Sequence, residues 1–164
     1  MKHIVYISVG SNIGNKISHC QAGIDALIES GQAVLTRQSG FYQTEPVDYT
    51  DQDWFINAVC QFETGLDPFQ LLGLMKKIEQ DAGRKEAPIR FGPRILDMDI
   101  LLFDGAVIDS PDLTIPHAKM HKRCFVLKPL CDIDPDIVHP VLKQNVRYLL
   151  RSMDPDGQQV IACT

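Results

Sequence analysis

A chain of 164 residues, 45% hydrophobic and 23% charged, is enough for one domain with a full core and excludes disordered and collagen-like classes. A formal net charge of −5 argues against a general nucleic-acid binder, which carries a basic excess, and no apolar run approaches the length of a membrane span. The N-terminus enters a strand-like run with no signal-peptide layout, and the five scattered cysteines, Cys20, Cys60, Cys124, Cys131 and Cys163, are expected as reduced thiols in a cytoplasm.

Residues 3–9 are rich in β-branched side chains and predict a strand, ended by Gly10-Ser11-Asn12. From Lys16 the stripe Ile17, Cys20, Ile24, Leu27 and Ile28 predicts a helix, with Gly31 as its stop. Residues 33–43 predict a second strand, and Pro46 with the polar run 48–53 a loop. Residues 55–63 predict a third strand, with Phe55, Asn57, Val59 and Gln61 on one face and Ile56, Ala58, Cys60 and Phe62 on the other. Asp67, Pro68 and Gly83 punctuate a second helix whose stripe is Leu71, Leu72, Met75, Ile78 and Ala82. A cationic loop from Arg84 to Pro93 leads into a fourth strand, 95–103, and Asp104-Gly105 reads as a turn into a short return strand near Val107-Ile108. Beyond it Pro111, Pro116, Pro129, Pro135 and Pro140 predict irregular chain, with a short helix near 121–128 and another over 141–152. The order β-α-β-β-α-β predicts a ferredoxin-like α+β domain over 1–164, with an antiparallel sheet, helices on its faces and a C-terminal extension.

The strongest chemical signal lies in the fourth strand. Residues two apart on a strand share a face, so Asp97 and Asp99 project together while Leu96, Met98, Ile100 and Leu102 face a core. Adjacent carboxylates repel, and a divalent cation resolves the conflict. Magnesium takes one or two carboxylates and completes its shell with water and phosphate oxygens. The preceding loop carries Arg84, Lys85 and Arg90, and Arg94 follows it. Arginine's planar fork matches phosphate, so metal and triphosphate are expected together, with the loop as a lid. His117, close to Lys119, Lys122 and Arg123, reads equally as a structural histidine or a phosphate contact. Asn57, with Phe55 on its face, reads equally as a heterocycle reader or a hydrogen-bonded core amide.

The run Arg90-Phe91-Gly92-Pro93-Arg94-Ile95-Leu96-Asp97-Met98-Asp99-Ile100-Leu101-Leu102-Phe103 resembles the signature of the 6-hydroxymethyl-7,8-dihydropterin pyrophosphokinase family of folate biosynthesis. Gly10-Ser11-Asn12, Phe41 to Pro46, Phe55-Ile56-Asn57-Ala58, Leu113 to His117 and Arg123 to Leu130 follow the family order over nearly the whole chain. The resemblance implies attack of the pterin hydroxymethyl oxygen on the β-phosphorus of ATP, transfer of pyrophosphate as a unit and release of AMP. It implies two magnesium ions on Asp97 and Asp99, with Arg84 and Arg94 joining them in catalysis. Asn57 and the backbone at Thr44 and Val47 would read the pterin edge, with the ring between Phe55 and Phe125. Glu79, Arg84, Arg94, Ile100, Thr114, His117 and Arg123 would lie near ATP or the lid. The partners so implied are these two small molecules, bound by a monomer, with no role for nucleic acid or membrane. Two rivals are weaker. A nucleotidyltransferase keeps its Gly-Ser turn close to its Asp-x-Asp strand, whereas Gly10-Ser11 is far from Asp97. An RNA-binding module on the same fold displays a basic surface, which Asp97 and Asp99 oppose.

Overall fold

The computed structural model describes residues 2–46, 51–83, 94–154 and 157–163. Its main sheet contains six strands: β1 (His3–Ser11), β2 (Ala33–Gln38), β3 (Tyr42–Thr44), β4 (Phe55–Thr64), β5 (Asp97–Phe103) and β8 (Val160–Ala162). The order is β5-β1-β4-β3-β8, with β2 on the remaining length of the β4 edge, and every pairing is antiparallel. The expected strand over 33–43 is therefore two short strands. Ser39 interrupts it: its N–H donates to Val59 O, and its side-chain oxygen, instead of a carbonyl, accepts from Val59 N–H. The chain thus spends extra length between the rungs Gln38–Cys60 and Tyr42–Asn57.

Helices α1 (Lys16–Glu29) and α2 (Pro68–Asp81) cover one face. The predicted punctuation of α2 is a complete capping box, in which Asp67 Oδ1 accepts from Gln70 N–H at 2.8 Å and Gln70 Oε1 accepts from Asp67 N–H at 3.0 Å. Cys20, Ile24 and Leu27 of α1 and Leu71, Met75 and Ile78 of α2 pack on Val5, Ile7, Val9, Ile56, Ala58, Cys60 and Phe62. The split of faces predicted for 55–63 is the one observed. On the other face, α3 (Cys124–Ile133) and α4 (Val146–Arg151) enclose Tyr6, Val59, Leu101 and Leu102. The C-terminal extension is thus a second layer.

Several expectations are corrected by pairing and packing. Leu102 does not continue the face of Met98 and Ile100. The β1–β5 register jumps from Ile7↔Ile100 to Tyr6↔Leu102, so Leu101 is an inserted residue and Leu102 joins it beneath α3. The return strand near 108 does not pair with β5. It is β6 (Ile108–Asp109), which forms a separate ribbon with β7 (Thr114–Ile115). The turn before it, with Asp104 at φ +49°, is fastened instead to β1, since Asp104 N–H donates to Ile4 O and its carboxylate accepts from Ile4 N–H. Helix α3 runs through Pro129 to Ile133, beyond the expected end at 128. Proline there removes one helical hydrogen bond, and burial of Val126, Leu127, Leu130 and Ile133 offsets it. Residues 120–122 form a 3-10 turn, and α4 begins only after its cap Asn145.

Candidate active site

Strand register assembles the site at one end of the sheet, on the face that carries α3. Gly10 of β1 lies between Asp97 of β5 and Asn57 of β4, and Asn57 is paired in turn with Tyr42 of β3. Two rungs further in, Ser8 lies between Asp99 and Val59. The alternation that places Leu101 under α3 therefore aims both aspartates to that side, with Asp97 half-buried and Asp99 exposed. Arg94 Nε stands 3.9 Å from Asp97 Oδ1. That distance is the loose end of ion pairing.

Asn12 holds Arg94 in place. Its Oδ1 accepts from Arg94 N–H at 2.8 Å, and its own N–H donates to Arg94 O at 3.0 Å. Its amide nitrogen donates to Gln52 Oε1 at 2.8 Å and to Asp53 O at 3.2 Å. A side chain only 2% exposed thus joins the end of β1 to the segments before β4 and β5. The sequence showed Asn12 only as a strand end. A polar residue closing an apolar strand was the available signal for its role.

Asn57 and Thr44, 8% and 1% exposed, form one unit, with Asn57 Nδ2 donating to Thr44 Oγ1 at 2.6 Å. The other side of the amide meets Gly10, where an added Cβ would sit 2.5 Å from Asn57 Oδ1. The resemblance implies a role for the Thr44 backbone; the contact observed is through its hydroxyl, which fixes the amide. Phe55 lies on the Asn57 face of β4, and Phe125 opens α3 above that face; both are half-buried. The Arg123 guanidinium stands over the Phe125 ring, 5.4 Å from its centroid.

The remaining residues gather around the outer edge of β5. Glu79 of α2 is buried, and its Oε2 accepts from Met98 N–H at 2.9 Å, between the two aspartates along the strand. The amide and carbonyl of Ile100, two residues on, point the same way, off the β1 side. The Ile100 side chain itself is buried in the α1–α2 core, so a ligand at this edge meets its backbone. Thr114 is exposed on β7. His117 donates its N–H to Leu101 O at 2.9 Å, while its Nδ1 accepts from Lys119 N–H at 3.1 Å. Burial, then the Arg123 and Lys119 charges, push its pKa down to about 4. The ring is neutral at pH 7, and an accepting Nδ1 leaves the proton on Nε2. Val47 and Arg84 lie outside the described residues, as do Arg90 to Pro93 of the signature.

Among the described residues no group of three or more His, Cys, Asp or Glu side chains forms a metal-ligand set. The two neighbouring carboxylates on one strand face nevertheless have the oxygen-donor chemistry of a hard cation that draws its other ligands from water and phosphate.

Residues 6–135 match the model of the 7,8-dihydro-6-hydroxymethylpterin-pyrophosphokinase family. The chain belongs to this family. It is 41% identical over 133 residues to the 2-amino-4-hydroxy-6-hydroxymethyldihydropteridine pyrophosphokinase of Bacillus subtilis, covering 81% of this chain and 79% of that one. The enzyme of the same name from Methylorubrum extorquens is 38% identical over 152 residues, covering 93% and 94% of the two chains. The folic acid synthesis protein fol1 of Schizosaccharomyces pombe is 40% identical over 154 residues, and there the match covers 94% of this chain but only 21% of the relative. The chain therefore spans about a fifth of that longer protein. Wild-type Plasmodium falciparum HPPK-DHPS, solved with pterin and p-hydroxybenzoate, superposes with a TM-score of 0.75 over 92% of this chain and 43% of that one. At 18% identity that likeness speaks for the fold. Family and named relatives together support pyrophosphoryl transfer to hydroxymethyldihydropterin in folate synthesis.

Proposed function

We propose that this chain transfers the pyrophosphoryl group of ATP to the hydroxymethyl oxygen of 6-hydroxymethyl-7,8-dihydropterin. An O–P bond forms at the β-phosphorus, the bond from that phosphorus to the α-phosphate oxygen breaks, the hydroxyl proton passes to solvent, and AMP leaves. The observation that carries this reading is the shared rung, which sets Asp97, Gly10 and Asn57 side by side on one face. A phosphate-metal position and a heterocycle-reading amide are thereby two strands apart, as an attack by a pterin side arm on a nucleotide requires.

The chain's own groups divide the work. Asn57, held by Thr44, donates to and accepts from the pterin edge, and Phe55 and Phe125 flank its ring. Asp97 and Asp99 would hold two magnesium ions, which supply charge neutralisation to the phosphates when bound. Arg94, anchored by Asn12, Arg123 and Arg84 receive phosphate oxygens through charge-assisted bonds. His117 offers an Nε2–H that does not depend on a proton taken up from solvent near pH 7. Thr114 and the Ile100 backbone lie where the nucleotide passes β5, and Glu79 keeps that edge straight. Phosphoryl chemistry asks mainly for such positioning and neutralisation. We take the chain to act as a single catalytic domain and a monomer. Five free cysteines suit a reducing, ATP-containing cytoplasm.

The Asp97→Asn and Asp99→Asn variants test the assignment. Each keeps side-chain shape and removes an anionic ligand, so turnover should fall at least about a hundredfold with an unchanged thermal melt. AMP should be the nucleotide product; free pyrophosphate would indicate nucleotidyl transfer instead. Near-normal turnover of both variants at saturating magnesium overturns the metal role.

A further inference from the structure

Strand β8 lies beyond residue 135, where the family match ends, yet it is built into the pterin side of the site. It pairs with β3 through Tyr42↔Ala162, Gln43↔Ile161 and Thr44↔Val160. Just past this ladder, three hydrogen bonds converge on Glu45. Its N–H donates to Gln159 O at 3.1 Å, its carboxylate accepts from Gln159 N–H at 2.9 Å, and its carbonyl accepts from the Gln158 side-chain amide. Glu45 follows Thr44 directly and begins the approach to Val47. The far side of β8 is also anchored. Lys128 Nζ donates to Val160 O at 3.1 Å and stands over the Tyr42 ring, 6.0 Å from its centroid. Lys128 is one helical turn after Phe125 on α3.

These contacts bear on a weak element. Strand β3 has three residues, and its pairing with β4 amounts to the rungs at Tyr42, Gln43 and Thr44. So short a strand on a sheet edge is marginal by itself. A second strand on its open side fixes its height and register, and Lys128 ties that strand to the helix that carries Phe125. We infer that β8 is a positioning strand for the pterin site, in which Gln158 and Gln159 set the Glu45 backbone and so hold the Thr44 hydroxyl against Asn57. This inference rests on the pterin-site reading proposed above.

The test uses the full chain, the variant Gln158→Ala and a chain ended after Asp154. Calorimetry measures affinity for 6-hydroxymethylpterin, with magnesium and a non-hydrolysable ATP analogue present, and affinity for the analogue alone. Thermal melts follow folding. Gln158→Ala should weaken pterin binding by roughly threefold to tenfold and the shortened chain by more, with analogue affinity held within about twofold. Unchanged pterin affinity in Gln158→Ala, or equal loss of both affinities, overturns the inference, and this variant decides alone if the shortened chain does not fold. Asn57→Ala in the same assay separates the two claims. Pterin affinity lost there but normal in Gln158→Ala overturns the β8 role and leaves the site standing. Pterin affinity retained in Asn57→Ala overturns the site reading and the β8 role with it.

Discussion

Gly10 illustrates how one residue type sets the site. Its φ is not positive, so backbone freedom is not what the position demands. Space is the constraint, because a Cβ would stand 2.5 Å from Asn57 Oδ1 on the neighbouring strand. Alanine at this position forces the amide aside and strains its 2.6 Å bond to Thr44. Overpacking of this kind costs about 1–3 kcal/mol, part of it paid in stability and part in displaced recognition groups. Gly10→Ala should therefore weaken pterin binding by roughly tenfold while nucleotide binding stays near normal. Titration with pterin and with ATP analogue checks the split, and wild-type pterin affinity in Gly10→Ala would show that Asn57 is free to move without consequence. Asn12, two residues on, works by the opposite means: four hydrogen bonds to two other segments leave it little freedom to move.

At the scale of elements, what was legible from the chain alone was whatever depends on near neighbours. The capping box of α2 needs Asp67 and Gln70, and the common face of Asp97 and Asp99 needs a strand three residues long. Both are local facts and both are present. Features set by a distant partner were not legible. The insertion at Leu101 exists because β5 must pair with β1 while its end turns under α3. β8 has three residues and no periodicity to read, and it is a strand because β3 offers an open edge. The expected return strand pairs with β7 rather than with β5 for the same reason. His117, balanced between two readings from spacing alone, is now constrained: the chain from β7 into the 3-10 turn holds its N–H on Leu101 O and its Nδ1 on Lys119 N–H. Its pKa is lowered from 6.5 to about 4, so between these values the unfolded chain binds the extra proton and the folded one does not. Its contribution to stability is complete above pH 6.5 and is lost as pH falls toward 4. NMR titration of the ligand-free protein should place the His117 midpoint near 4, with Nε2 protonated above it. A midpoint near 6.5 would show that the ring is solvated and remove its role as a neutral donor.

Across the whole molecule, both layers bury groups that resist losing a proton. Between sheet and α3, Tyr6 donates to Asp134 Oδ2 and accepts from Gln61 Nε2, each at 2.7 Å. Tyr42 donates to Asp132 Oδ2 nearby, and Arg37 Nη1 donates to Ile133 O at 2.6 Å. This row of bonds fastens the end of α3 to β1, β2 and β3. Burial first, and then the Asp134 hydrogen bond, raise the Tyr6 hydroxyl from 10.0 to about 12, and burial followed by the Asp132 hydrogen bond raises Tyr42. In the opposite core, burial raises the Cys20 and Cys60 thiols from 9.0 to about 12. Above pH 9 the unfolded chain releases protons that the folded chain keeps, so the folded state binds more of them. Stability must then decline as pH rises. The stabilising share of these groups is complete below pH 9 for the thiols and below pH 10 for the tyrosines, and is lost progressively toward pH 12. Urea unfolding at a series of pH values should accordingly show stability falling from pH 9 upward, and more steeply above pH 10 where the tyrosines join. Tyr6→Phe should lower stability at pH 8, because Asp134 and Gln61 lose their shared partner, yet flatten the decline between pH 10 and 12. Cys20→Ala should flatten it from pH 9. Stability that holds level or rises between pH 9 and 11 would mean that these groups reach solvent, and that the two layers are not closed over the sheet as the structure has them.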